Sequence, residues 1–406
     1  MASVTKQSRL TKLLADRQTV LSVFLAFLRL GCTSFGGPVA HLGYYRAEFV
    51  ERRKWLDEHA YADIVALCQF LPGPASSQTG VTIGMLRAGL PGGFAAFLGF
   101  SGPSAILMIA FAYGVAAFGD VQHAAWLHGL KIVAVAVVAN AVWGMARNLA
   151  PDPPRATMAV GGALVALLVP SAIGQVAAIV AGGLIGWAFL EAPPSKAGHV
   201  AITFSRRLGA ASLILFFALL IGLPFVARAT GVHAVALFDS FYRAGSLVFG
   251  GGHVVLPLLQ QMVVPPGWID NNGFLAGYGA AQAVPGPIFT FAAYLGAAMH
   301  PGPNGVAGGL LCLAAIYLPS FFLLVGVLPF WDGLRRRAGV QSALRGVNAT
   351  VVGLLLAALY NPVWTSAINV PIDFAVGLVA FLLLAVWKLP PWLIVILGAV
   401  ATAIIG

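Results

Sequence analysis

Charge is what this 406-residue chain has least of: only 9% of its residues are Asp, Glu, Lys or Arg. A soluble domain of that length needs a solvated charged surface, which so few charges cannot supply. Acid is the scarcer sign, with 13 Asp and Glu against 23 Lys and Arg, a net charge of +10. Such a balance would suit nucleic acid, but the basic residues sit mostly in short stretches between apolar runs. That is the pattern of an orientation signal, so no nucleic-acid partner is expected. Cysteine is nearly absent. Cys32, Cys68 and Cys312 all lie in apolar stretches, are odd in number and show no C-x-x-C spacing, so they read as packing thiols. The histidines show no metal-ligand spacing, and neither a metal nor a cofactor is expected. There is no Walker A motif and no H-E-x-x-H, which removes the usual support for ATP hydrolysis by this chain and for zincin proteolysis. No enzyme activity is expected. Residues 1–18 carry Lys6, Arg9, Lys12 and Arg17 without an apolar core; they read as a cytoplasmic segment and not as a cleavable signal.

Apolar residues make up 59% of the chain and mean hydropathy is +0.90, which points to an all-α polytopic membrane protein. The 48 glycines and 25 prolines suit broken, closely packed membrane helices. The sharpest break is Gln69-Phe-Leu-Pro72-Gly73-Pro74-Ala-Ser76-Ser77. Proline lacks the N–H and pushes the residue before it out of the helical region. A helix from about Tyr61 is therefore expected to stop at Leu71, and a new one to start near Pro74. Ser76 and Ser77 are placed to serve its exposed N–H groups, and its N-terminus would face an anion.

The device recurs. Gln282-Ala-Val-Pro285-Gly286-Pro287 repeats the first break 213 residues on. Phe249-Gly250-Gly251 likewise answers Phe35-Gly36-Gly37, with Arg243 and Arg29 each six residues before, and Trp268 and Asp270 answer Trp55 and Asp57. The chain divides into the N-terminal segment 1–18, a first repeat 19–190, a linker 191–229 holding one unpaired span, and a second repeat 230–406. Counting each broken segment as one crossing gives about 13 membrane segments at roughly 20 residues each. Six spans, one linker span and six spans would leave two inverted-topology repeats with the N-terminus inside. The basic loops obey that parity except for residues 46–54, which move inside if the broken segments are re-entrant. Crossing and re-entry are both left open here.

Inverted repeats of broken helices are the form of secondary transporters, with the site at the repeat interface near mid-depth. Arg29 and Arg243 are candidate oxyanion ligands, because a planar guanidinium offers two parallel hydrogen bonds and is costly at membrane depth. With them stand Gly36, Gly37, Gln69, Pro72, Gly73, Pro74, Ser76 and Ser77 of the first repeat. Gly250, Gly251, His253, Gln282, Pro285, Gly286 and Pro287 complete the set in the second. Thr290 is a further donor candidate, and Lys131, Asp63 and Glu48 are candidate charge partners or proton carriers.

Together, Phe35-Gly36-Gly37-Pro38, Arg46…Trp55 and Phe70-Leu71-Pro72-Gly73-Pro74, with the second copies at Phe249 and Pro285, resemble the chromate ion transporter family in its two-domain form. The resemblance runs from about Val20 to the end. It implies secondary export of chromate across the bacterial inner membrane, conferring chromate resistance. The chain departs from an even repeat at Gly252, which stands where the first copy has Pro38, and at the uncharged residues 258–266 that replace the basic stretch 46–54. Sulfate, also a tetrahedral dianion, remains an alternative substrate, by import, and a passive anion channel an alternative mechanism. Neither the coupling ion nor a homodimer is written in the residues.

Overall fold

The computed structural model describes residues 19–117, 125–191, 204–249, 252–334 and 337–405. The N-terminal segment 1–18, Gly250, Gly251 and residues 192–203 of the linker lie outside the described residues. All regular structure among those described is helical. In the first repeat these are α1 (Thr19–Thr33), α2 (Gly37–Tyr45) running into a π-helical turn over Arg46–Arg52, α3 (Glu58–Phe70), α4 (Ala75–Ala117), α5 (Ala125–Leu149), α6 (Pro153–Leu168) and α7 (Ala172–Phe189). The linker helix is α8 (Arg206–Thr230). The second repeat holds α9 (His233–Leu247), α10 (Val255–Val263), α11 (Asn271–Ala283), α12 (Phe291–Ala298), α13 (Gly305–Val327), α14 (Trp331–Leu334), α15 (Ala338–Ala358), α16 (Thr365–Ala367), α17 (Pro371–Ala385) and α18 (Pro391–Ile405).

Each Pro-Gly-Pro interrupts helix as its chemistry demands, with α3 ending at Phe70 and α4 starting at Ala75. The matched aspartates are N-caps: Asp57 Oδ1 accepts from Ala60 N at 2.8 Å, and Asp270 Oδ1 from Gly273 N at 2.6 Å. The helix starting at Ala75 then turns back on itself at Ala88 and Gly89, whose backbone is not helical. Gly84 and Gly92 meet across that turn, so closely that a Cβ on Gly84 would stand 2.4 Å from Gly92 O. Cys68 Sγ of α3 lies 3.8 Å from Thr82 Oγ1 of α4. The segment is therefore a helical hairpin with Pro-Gly-Pro at its tip. The second repeat builds the same hairpin from α11 and α12, where Tyr294 OH donates to Gly273 O at 2.9 Å. Gly296 of α12 and Gly308 of α13 meet across its return turn. The 13 residues of α3 and of α11 span about 20 Å, short of a ~30 Å hydrocarbon core.

Among the described residues, five helices are long and apolar enough to cross a membrane: Ala75–Ala117, His128–Leu149, Arg206–Thr230, Gly305–Phe330 and Ala338–Ala367. Shorter apolar helices accompany them. The expected count of about 13 treated each broken segment as one crossing, and the hairpin arms are shorter than that. The hairpins also bring the basic stretch beside Arg87. The Arg87 guanidinium stands 5.4 Å from the Trp55 ring centre, and that of Arg53 5.1 Å. In the second repeat, His300 N donates to Trp268 O at 2.9 Å. Each hairpin mouth thus closes on its own matched tryptophan.

The repeats interlock through their later helices. The α15 helix lies against α6 and α7 of the first repeat, with Gly346 on Gly182 and Gly353 on Ala159. Conversely α5 lies against α17 and α18 of the second, with Gly129 on Gly398 and His128 Nε2 2.9 Å from Asp373 Oδ1. The linker helix α8 has no twin. It packs on α9 and α13, where Tyr242 OH donates to Phe216 O at 3.1 Å and Ser212 Oγ to Phe322 O at 2.9 Å. Its outer face exposes Ile214, Phe217, Ile221 and Phe225.

Candidate functional site at the crossing of the breaks

The two kinds of break meet across the repeats. Gly73 N donates to Val248 O at 2.7 Å, and Gly286 N donates to Ser34 O at 2.9 Å. Val248 and Ser34 each precede a Phe-Gly-Gly by one residue. So the Pro-Gly-Pro tip of each repeat grips the chain just before the Phe-Gly-Gly of the other. Such reciprocity, in which one pair of patches exchanges partners, is what a two-fold relation produces. Both glycines hold positive φ, +121° at Gly73 and +102° at Gly286, a conformation that L side chains rarely adopt. A Cβ on Gly73 would stand 2.6 Å from Ser320 Oγ, and one on Gly286 2.9 Å from Ser104 Oγ. Ser104 and Ser320 belong to the opposite repeat in each case, which completes the exchange.

On the first-repeat side of the crossing lies a group of buried polar side chains. His41 and Tyr45 come from α2, Ser76, Ser77 and Gln78 from the first turn of α4, and Ser101 from its far limb. Tyr317 and Ser320 come from α13 of the second repeat. His41 Nδ1 is 3.4 Å from Ser76 Oγ, and Gln78 Nε2 donates to Pro72 O at 2.7 Å and to Ser320 Oγ at 3.3 Å. The Tyr45 hydroxyl sits against Gly80 of α4. Ser77 and Ser101 lie within electrostatic reach of the Tyr317 hydroxyl, short of hydrogen-bond geometry. Yet the side-chain oxygens of Ser34, Tyr45, Ser77, Ser101 and Tyr317, together with His41 Nε2 and Gln78 Oε1, are buried without a hydrogen-bond partner. Each such group costs roughly 1–3 kcal/mol, and buried polar atoms in native proteins are usually satisfied. A concentration of them at one helix N-terminus is a site held ready for a polar guest.

The opposite side of the crossing is different. A cavity of about 80 Å³ is lined by Gly36, Gly37, Asn140, His253, Gln282 and Pro391. There His253 Nδ1 and the Tyr278 hydroxyl are 2.7 Å apart. Positions matching the first-repeat cluster are apolar or self-satisfied, since Val255 and Leu259 are fully buried and Thr290 Oγ1 donates to Pro287 O at 2.8 Å.

The predicted residues divide accordingly. Pro72, Gly73, Pro74, Ser76 and Ser77 lie at the first tip, and Pro285, Gly286 and Pro287 at the second. Gly36, Gly37, His253 and Gln282 meet at the small cavity, and Gly250 and Gly251 lie outside the described residues. Ser76 turns to His41 instead of capping α4. Gln69 is exposed on α3 while its twin Gln282 is half-buried. Arg29 is exposed near the end of α1, and Arg243 pairs with the buried Asp239, Nη2 to Oδ2 2.6 Å. Neither arginine lines the cavity at the crossing. Glu48 is held by Arg52 and Arg53, and Lys131 Nζ donates to Asn272 Oδ1 at 3.2 Å. Lys131 lines a separate cavity of about 580 Å³ with Trp268, Asp270 and His300. Ser34, His41, Tyr45, Gln78, Ser101, Tyr317 and Ser320 belong to none of the motifs that the sequence shows. Their signal was polar residues recurring inside apolar runs, which singly reads as ordinary helix composition.

A family model, Chromate transporter, matches residues 21–187 and again 235–403. The chain is 29% identical over 369 residues to the "Chromate transport protein" of Pseudomonas aeruginosa, covering 88% of this chain and 84% of that one. It is 24% identical over 388 residues to the "Chromate transport protein" of Cupriavidus metallidurans, covering 94% and 92%. With the "Probable chromate transport protein" of Synechococcus elongatus it shares 26% over 408 residues, covering 93% of each. No solved structure matches. With both copies matched and the breaks that define them crossing at one place, the chain belongs to the chromate transporter family.

Proposed function

We propose that this chain is a secondary transporter that exports chromate across the bacterial inner membrane and so confers resistance to it. The observation that carries the reading is the reciprocal crossing, where two broken helices from each repeat meet with buried polar groups unspent. The repeats are 19–190 and 230–406, inverted about an axis in the membrane plane, and their tips are re-entrant. The charge distribution supports this. The first hairpin mouth gathers Arg46, Arg52, Arg53 and Arg87, whereas residues 264–270 and 299–304 at the second mouth hold no Lys or Arg. Positive charge favours the cytoplasmic side, which puts the first mouth and the N-terminus inside.

Direction follows from charge. An inside-negative potential of 100 mV favours outward movement of a dianion by roughly 4–5 kcal/mol, so export needs no ATP. The anion would meet the tips at Gly73 and Gly286, with Arg29 and Arg243 lending attraction on approach, and rocking of one repeat on the other would alternate access. Proteoliposomes holding the purified chain and a potassium diffusion potential test this. Labelled chromate should leave when the interior is negative, and unlabelled chromate on the far side should accelerate exchange. Flux indifferent to potential, or without exchange acceleration, would sink the carrier reading. Sulfate belongs in the same assay as the competing dianion of similar shape.

A further inference from the structure

The reading of the chain as an oxyanion carrier leaves open where the anion sits, and the asymmetry of the crossing answers that. We infer that a single tetrahedral dianion, stripped of water, is held on the first-repeat side by the hydroxyls of Ser34, Tyr45, Ser77, Ser101 and Tyr317 with His41 beside them. Among the described residues the second repeat has no such seat.

Three observations converge on this. All six side chains are at most 4% exposed, and each holds an unpartnered polar atom. They surround the start of α4, whose peptide dipoles favour negative charge. Their counterparts in the second repeat, counted by the offsets at the breaks, are Val248, Val255, Leu259 and the self-bonded Thr290. Ser101 and Tyr317 answer each other across the repeats, 216 residues apart, as do Ser104 and Ser320 at the two glycines. The seat therefore needs both repeats, because one of its two tyrosines, Tyr317, is brought by α13 against α4.

The chemistry suits a cargo that must also leave. Hydroxyl donors and a helix N-terminus stabilise a dianion without a fixed cation in the seat, so binding is favourable yet reversible, as transport requires. Withdrawal of Tyr317 when the repeats rock would loosen the grip on one face. Anion release and the conformational change are then one event.

The test uses the full chain, purified, with chromate and sulfate as separate probes. Two quantities are read in wild type, Tyr317→Phe, the Ser77→Ala/Ser101→Ala double variant and Thr290→Val: the KM of flux in proteoliposomes, and the rise in Tm on adding anion. Tyr317→Phe and the double variant should raise KM at least tenfold and abolish the anion-dependent rise in Tm. Their anion-free Tm should hold or increase, since an unpartnered buried hydroxyl has been removed. Thr290→Val should behave as wild type. Unchanged KM and an unchanged Tm rise in both seat variants, with wild type moving chromate, overturn the seat and leave the transport function standing. A seat-dependent response to sulfate with none to chromate supports the seat and overturns the chromate assignment. No wild-type response to either anion overturns both.

Discussion

Gly73 and Gly286 carry the residue-scale constraint, because a side chain there meets strain and a neighbour together. A sparsely populated backbone conformation costs about 1–3 kcal/mol for a residue with a Cβ, and the serine hydroxyl of the other repeat blocks the space. Gly73→Ala and Gly286→Ala should each cut chromate flux at least ~10-fold, about 1.4 kcal/mol, at normal expression. Gly102→Ala, whose Cβ would meet nothing within 4 Å, should not. Glu48 gives a second residue-scale prediction, in the basic stretch outside the spanning helices. Burial pushes its carboxyl up, but hydrogen bonds and charge from Arg52 and Arg53 more than offset this and hold it below the ordinary carboxylate range. A depressed carboxylate stabilises the fold above its unfolded pKa and loses that contribution as pH falls through its folded value. Acidification below about pH 4 should therefore release residues 46–57, read as a shift in Trp55 emission. Glu48→Gln should shift that emission already at neutral pH and cost roughly 1–2 kcal/mol of stability; an unaltered acid transition in this variant refutes the latch. Residue roles were the least legible part of the sequence. Arg29 and Arg243 looked equivalent, yet Asp239, one turn before Arg243, pairs only the second. That i,i+4 spacing stands in the sequence, but a match between two arginines carries no information on the partners around each.

At the scale of elements, the helix ends were legible wherever chemistry forbids helix. Pro72-Gly73-Pro74 set the end of α3 and the start of α4 to within a residue of expectation, and Pro285-Gly286-Pro287 likewise parts α11 from α12. What stayed hidden was the fold-back at Ala88 and Gly89, because one glycine inside an apolar run reads equally well as packing. The short hairpin arms favour re-entry over crossing for these two segments. With arms of about 20 Å, the hairpins set the basic residues 46–54 beside Arg87, the end to which the other basic loops had pointed. The interlock of α15 between α6 and α7 carries the element-scale prediction. A Cβ on Gly346 would stand 2.1 Å from Gly182 O, against nothing within 4 Å at Gly144. Gly346→Val should destabilise by roughly 1–3 kcal/mol through overpacking, visible as a lower Tm in detergent, whereas Gly144→Ala should not. Equal Tm values in the two variants would remove the interlock as a source of stability.

For the whole molecule, exchange of helices means that neither repeat completes its own core. Residues 1–203 and 204–406 expressed separately should be degraded, while co-expressed they should co-purify and carry chromate. Stable accumulation of either half alone would contradict the exchange. Orientation is testable in the same frame. In a chain with Cys32, Cys68 and Cys312 replaced, Arg87→Cys and Asn304→Cys mark the two hairpin mouths, both exposed. An impermeant maleimide should reach them from opposite faces of the membrane, and labelling from one face ends the inverted-repeat reading. The duplication itself was plain in the sequence, since paired Gly-Gly and Pro-Gly-Pro signals recur at nearly constant spacing. How the copies clasp was not, because the clasp is made of peptide N–H and C=O groups that every residue but proline supplies. That has an evolutionary consequence. A joint written in the main chain survives almost any drift in the side chains around it, so one copy could trade hydroxyls for aliphatics while its sister kept them. Duplication could thereby divide the labour of cargo handling without ever loosening the pivot.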